Sequence, residues 1–109
     1  MRNLLFVCSK NQWRSPTAEL LFKGHTLYCA RSAGTSEKAR IKVNEKLITW
    51  ADVIFVMERK HKDILHQNFR ELLADKQIIT LNIPDEYTFE DAELIQILKG
   101  LLEEYLIYK

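Results

Sequence analysis

The chain has little of what would tie it to an extracellular scaffold, a membrane or a nucleic acid. It holds only two cysteines, Cys8 and Cys29, in 109 residues. That is too few for a disulfide framework and fits a reducing cytoplasm. Net charge is nearly absent, with 16 basic against 15 acidic side chains, so no global field draws in nucleic acid or a membrane surface. The apolar run after Met1-Arg2-Asn3 is too short for a signal-peptide core or a membrane span. No internal repeat, low-complexity stretch or linker interrupts the chain. Histidine is scarce, and His61 and His66 stand five apart on an expected helix, where they share no face, so no metal site is predicted. Glycine is scarcer than usual, at three residues, so Gly34 is expected to mark a close approach of two backbones.

What is present suffices for a single domain spanning residues 1–109 with one core. Short apolar runs alternate with amphipathic ones. Strands are predicted near Asn3–Cys8, Leu27–Ala30, Asp52–Met57 and Ile78–Leu81. Helices are predicted near Ser15–Lys23, Val43–Trp50, Glu58–Asn68 and from about Thr88–Asp91 onward. The unbroken run Asp52-Val53-Ile54-Phe55-Val56-Met57 reads as a strand buried on both faces, as in a parallel sheet covered by helices. Leu94, Ile97, Leu98, Leu101 and Tyr105 form the inner stripe of the last helix. The expectation is an α/β domain: three-layer α/β/α with a central four-stranded parallel sheet. Cys29 is expected in the core, and the polar stretch Ser36–Lys42 is expected to be a solvated loop, with an anion-binding rim as the alternative.

The chemistry concentrates between the first strand and the first helix, in Cys8-Ser9-Lys10-Asn11-Gln12-Trp13-Arg14-Ser15-Pro16. A loop turning from a strand into a helix aims several backbone N–H groups at one point, and the helix start adds partial positive charge. Arg14 contributes a planar, permanently charged fork suited to two phosphoryl oxygens. Cys8 sits where these fields converge, the setting of a thiolate nucleophile. Ser15 is placed to donate a hydrogen bond to the sulfur, and Pro16 lies where a missing N–H costs nothing. The loop from Ser9 through Lys10, Asn11, Gln12, Trp13 and Arg14 to Ser15 is therefore read as phosphate-binding. Trp13 is either a pocket wall or packing at the helix start, with packing the expectation.

This stretch resembles the signature of the low-molecular-weight protein tyrosine phosphatases. Three later stretches agree in order: Ser32-Ala33-Gly34-Thr35-Ser36, Ala51–Arg59, and Pro84-Asp85-Glu86-Tyr87. The resemblance spans nearly the whole chain in shortened form and implies a flavodoxin-like topology. It also implies that an aspartate just before the last helix is the general acid: Asp85, with Tyr87 flanking the pocket, is the expectation and Asp91 the alternative, the stretch Thr88-Phe89-Glu90-Asp91 otherwise reading as a helix cap. Asn11 matches the family and is expected to bond within the loop. Pro84 precedes the aspartate instead of following it. Lys10 stands where the family has glycine, Trp13 where it has a second cysteine, and Ser36–Lys42 lacks the family's aromatic wall residue.

The function expected is a cysteine-dependent phosphomonoesterase, most plainly a protein tyrosine phosphatase. Cys8, Arg14 and Asp85 would act on a phosphotyrosine protein or small aryl phosphate through a phosphocysteine, without metal or cofactor. Two alternatives use the same loop: a thiol-dependent arsenate reductase, and a non-catalytic phosphate-binding module.

Overall fold

A computed structural model describes residues 1–106. Four strands alternate with four helices: β1 Arg2–Cys8, α1 Arg14–Leu20, β2 Tyr28–Gly34, α2 Glu45–Trp50, β3 Val53–Val56, α3 Arg59–Phe69, β4 Gln77–Thr80 and α4 Ala92–Leu102. The strands form one sheet of order β2-β1-β3-β4, and all three pairings are parallel. This is a flavodoxin-like order, and it reverses direction between β1 and β3.

The alternation of β1 explains the layers. Leu4, Phe6 and Cys8 join a cluster with Ala18 and Phe22 beside α1 and Leu94, Leu98 and Leu102 of α4. Leu5 and Val7 point to the other face and pack with Leu47 and Ile48 of α2 and Leu65 of α3. Residues of β1 and β3 from Leu4 to Val7 and from Val53 to Val56 are at most 2% exposed. Two covered faces are the reason these strands read as continuous apolar runs.

The outcomes differ from the sequence expectations in four places. β2 continues to Gly34, well past Ala30, because every residue from Tyr28 to Gly34 has a register partner on β1. Cys29 is not a core residue: β2 is the sheet edge and leaves it half-buried. α2 starts at Glu45, where the Asn44 side chain accepts from the Leu47 N–H at 3.0 Å and caps the helix. Tyr105 lies beyond α4 and is 45% exposed, and Leu102 and Leu106 take the buried positions instead.

Gly34 is where two backbones meet, in line with its sequence reading. A Cβ there would lie 2.4 Å from the Ser9 carbonyl oxygen and 3.0 Å from the Asn11 nitrogen. The end of β2 thus presses directly on the loop that follows β1.

Candidate active site

Residues 9–13 leave the C-terminal end of β1 at the point where the strand order reverses, the usual ligand position of an open parallel sheet. The loop's carbonyls are turned outward by one neighbouring segment. Thr35 N–H donates to the Cys8 carbonyl at 3.0 Å, Ser36 N–H to that of Ser9 at 2.9 Å, and Arg40 N–H to that of Lys10 at 3.0 Å. The Arg40 Nε–H takes the fourth, on Asn11, at 3.1 Å. Four successive carbonyls, from Cys8 to Asn11, are thereby engaged on the side of this segment. The stretch Ser36–Lys42 is therefore more than a solvated loop. Arg40 braces the loop that follows β1, a role that nothing in the local sequence signals. The other basic residue of this stretch with a described partner, Lys42, pairs with Glu37.

Closure of the loop requires one left-handed residue, and Asn11 supplies it at φ 55°. Asparagine tolerates that region better than most side chains. Lys10 needs no glycine-like conformation, so its departure from the family pattern is accommodated. Asn11 is fully buried, and its Nδ2 donates to Ser15 Oγ at 2.9 Å. Ser15 Oγ also lies 2.9 Å from Cys8 Sγ and 3.3 Å from the Ala33 carbonyl. A hydroxyl has one hydrogen to give. Asn11 fills an acceptor position on Ser15, so that hydrogen goes either to the Ala33 carbonyl or, at the shorter distance, to the sulfur when the sulfur is a thiolate.

Arg14 is 2% exposed and is held by its Nη1. Nη1 donates to Glu58 Oε2 at 2.6 Å and to the Ile83 carbonyl at 2.9 Å. Both Nη1 hydrogens are thereby engaged, leaving the Nε–H and the two Nη2 hydrogens as the open edge of the fork. Arg14 lines a depression of about 80 Å³ together with Cys8, Lys10, Gln12, Trp13 and Asp85. Asp85 Oδ1 stands 3.7 Å from Arg14 Nε, and its side chain is 54% exposed.

Two aromatic residues sit differently from their sequence readings. Trp13, expected to pack at the helix start, is 43% exposed and lines the depression. Tyr87, expected as the pocket wall, is half-buried and packs against the hydrophobic cluster beneath α4. Asp91 is the N-cap of α4, with its Oδ1 accepting from the Glu93 N–H at 2.8 Å and the Leu94 N–H at 3.4 Å.

Sequence reasoning misses Glu58 and His61, which read as ordinary members of a charged helix. They form a capping box at the start of α3. The signal is present as an acceptor-capable pair three residues apart after a buried strand. Burial pushes the Glu58 carboxyl up, but the Arg14 hydrogen bond and charge, aided by Lys60 and His61, outweigh it and hold the group below its usual range. His61 is fully buried. Burial, together with the charges of Arg14 and Lys60, pushes its pKa down to about 4 against the opposing pull of Glu58 and Asp85.

These shifts make the fold sensitive to acid. The unfolded chain takes up a proton on His61 below about 6.5, whereas the folded chain resists until about 4. Between those values the unfolded state binds more protons, so stability falls as pH falls. Glu58 acts in the same direction at lower pH, since its depressed value stabilises the fold only while it is ionised. Urea unfolding at pH 7 and pH 4.5 is expected to show a loss on the order of 2–3 kcal/mol from His61, and His61→Gln should flatten that slope. An unchanged slope in His61→Gln would place the acid sensitivity elsewhere.

Among the described residues, no group of three or more His, Cys, Asp or Glu side chains could hold a metal ion, and no helix is long and apolar enough to cross a membrane. No family model matches the sequence, and no curated protein is similar to it. Solved structures do match along nearly the whole chain. The low-molecular-weight protein tyrosine phosphatase SP-PTP from Streptococcus pyogenes superposes with a TM-score of 0.76 at 18% identity, covering 98% of this chain and 95% of that one. Wzb from Vibrio vulnificus, solved with benzylphosphonate, gives 0.76 at 22% identity over 95% and 96% of the two chains. The YwlE arginine phosphatase from Geobacillus stearothermophilus gives 0.71 at 22% identity over 95% and 92%. At these identities the likeness is one of architecture: the chain adopts the fold of the low-molecular-weight protein tyrosine phosphatases.

Proposed function

We propose that the protein is a cysteine-dependent phosphomonoesterase that hydrolyses aryl phosphates, with phosphotyrosine as the natural class of substrate, in a reducing cytoplasm. The observation that carries this reading is the open edge of the Arg14 fork beside Cys8 and Asp85 in one small depression. Binding alone would need neither a nucleophile nor an acid. Cys8 attacks phosphorus and the phenolic oxygen departs, leaving a phosphocysteine. The loop amides and Arg14 stabilise the equatorial oxygens. Asp85 gives its proton to the departing oxygen, then accepts one from the water that releases phosphate. A related likeness supports the covalent step: a YwlE arginine phosphatase with serine in place of cysteine was solved with a phosphorylated active-site serine.

The neighbours in fold include both tyrosine and arginine phosphatases, so the fold does not choose the leaving group. Trp13 favours an aromatic one, because its exposed indole forms a wall at the mouth of the depression. Trp13→Ala is expected to raise KM about three- to tenfold for phosphotyrosine peptides, the size of one lost aromatic contact, and to leave KM for a sugar phosphate nearly unchanged. Equal effects on both substrates would remove Trp13 from substrate recognition.

The test of the reading is phosphate release from phosphotyrosine peptides, small aryl phosphates and sugar phosphates, with arsenate turnover run alongside. Arsenate reduction would need a second thiol in reach. Cys29 pairs in register with Asn3, five residues back along β1 from Cys8, which puts it roughly 16 Å from Cys8 along the sheet. A disulfide needs Cα atoms within about 7 Å. In the same assay, Asp85→Asn should slow phosphotyrosine turnover about a hundredfold, and slow an aryl phosphate with an acidic leaving phenol much less. Asp91→Asn, which keeps a capping oxygen and loses only the charge at the start of α4, should instead leave turnover nearly unchanged and cost about 0.3–1 kcal/mol of stability. A leaving-group-dependent loss in Asp91→Asn would exchange the two roles.

A further inference from the structure

The hydrogen bond between Ser9 and His61 takes no part in the chemistry above, yet its direction is settled by its surroundings. The Glu58 backbone N–H donates to His61 Nδ1 at 3.1 Å. That nitrogen must therefore be an acceptor, and the single hydrogen of the neutral ring is on Nε2. Nε2 lies 2.9 Å from Ser9 Oγ, so the ring donates and the hydroxyl oxygen accepts.

Ser9 is consequently held from two sides. His61 holds its side chain, and the Ser36 N–H holds its carbonyl at 2.9 Å. The peptide planes on either side of Ser9 carry the two amides that follow the cysteine, those of Ser9 and Lys10. Meanwhile Glu58, at the N-cap of the same helical turn, holds Arg14 at the far end of the loop. A single turn of α3 thus grips the second and the last residue of the stretch from Cys8 to Arg14.

We propose that His61 is a positioning residue for the phosphate loop: its Nε2–H fixes Ser9, and through Ser9 the amides next to Cys8, in the orientation that receives a phosphoryl oxygen. The inference rests on the phosphatase reading only for the identity of the anion. It differs from a purely structural role, in which His61 would serve α3 as the partner in a capping box and nothing more.

Three variants separate the two roles. Ser9→Ala removes the far end of the contact and leaves the capping box intact. His61→Leu removes both functions. His61→Gln keeps both, because glutamine's amide oxygen accepts from the Glu58 N–H, as in ordinary capping boxes, while its NH2 reaches toward Ser9. The probe is orthovanadate, followed by titration calorimetry, with aryl phosphate turnover and melting temperature measured in parallel. Ser9→Ala is expected to weaken vanadate binding about fivefold, the size of one lost neutral hydrogen bond, and to lower the melting temperature less than His61→Leu, which also loses the cap. His61→Leu should weaken binding at least as much, the double variant no further, and His61→Gln should restore it. In NMR spectra of the wild type, the ring should appear as the Nε2–H tautomer, with a shift that changes in Ser9→Ala.

Wild-type vanadate affinity in Ser9→Ala would overturn the proposal, as would His61→Gln behaving like His61→Leu. If His61→Leu does not fold, Ser9→Ala and His61→Gln decide the matter between them. Absence of turnover in the wild-type protein would overturn the catalytic reading alone, since vanadate binding still reports the role of His61.

Discussion

Cys8→Ser is expected to abolish turnover of aryl phosphates while leaving orthovanadate or phosphate binding in place. Serine is smaller than cysteine and, near neutral pH, its hydroxyl does not supply the ionised nucleophile that a thiol in this setting does. The contacts that hold the loop do not depend on the sulfur. Its carbonyls are engaged by Thr35, Ser36 and Arg40, and Asn11 is tied to Ser15. The anion site should therefore survive. The rate should fall by about four orders of magnitude or more, as for loss of the nucleophile in other covalent hydrolases. Retained phosphatase activity in Cys8→Ser would exclude the phosphocysteine mechanism. Loss of vanadate binding would show instead that the sulfur is needed to shape the loop.

Arg14→Lys is the second large effect expected, and the hydrogen-bond geometry of the guanidinium explains it. Nη1 alone satisfies Glu58 and the Ile83 carbonyl, which frees Nε and Nη2 for phosphate. A lysine has one nitrogen. If its ammonium stays with Glu58, no second prong remains for the transition state. If it turns to the phosphate, Glu58 keeps only Lys60 among the described cations, at 3.7 Å. Either way the rate should fall about a hundredfold or more, the usual loss when a transition-state contact is removed from a dry site. The melting temperature should fall less in Arg14→Lys than in Arg14→Ala, which leaves the Ile83 carbonyl unpaired and Glu58 with only Lys60 as its cation. A near-wild-type rate in Arg14→Lys would place the fork outside the reacting centre.

Much of this is legible in the chain because the relevant signals are local. A strand buried on both faces shows as an unbroken apolar run, so Val53–Val56 stands out in the sequence itself. The passage from Val7 through Pro16 announces a strand, a turn and a helix start within ten residues. Asp91 as a cap is likewise a matter of one carboxylate and the amides two and three residues on. These are contacts between near neighbours, and spacing alone encodes them.

The tertiary structure decided what depends on residues far apart in the chain. Which wall Trp13 forms is one such matter: the indole is 43% exposed and lines the depression, while Tyr87 is drawn into the cluster under α4. The exposure of Cys29 is another, since it follows from β2 lying at the sheet edge, a property of strand order that the sequence of β2 does not carry. The partners of Arg14 stand 44 and 69 residues away, and Ser9 meets His61 across 52. The sequence by itself determined the turn from strand to helix that carries Cys8 and Arg14, the alternation of strands and helices, and the two-sided burial of the central strands, because each is written in neighbouring residues. Folding alone decided that the first turn of α3 grips both ends of that loop and that Thr35, Ser36 and Arg40 engage its carbonyls, because a parallel sheet brings the C-terminal ends of its strands to one edge and this order sets β1 between β2 and β3.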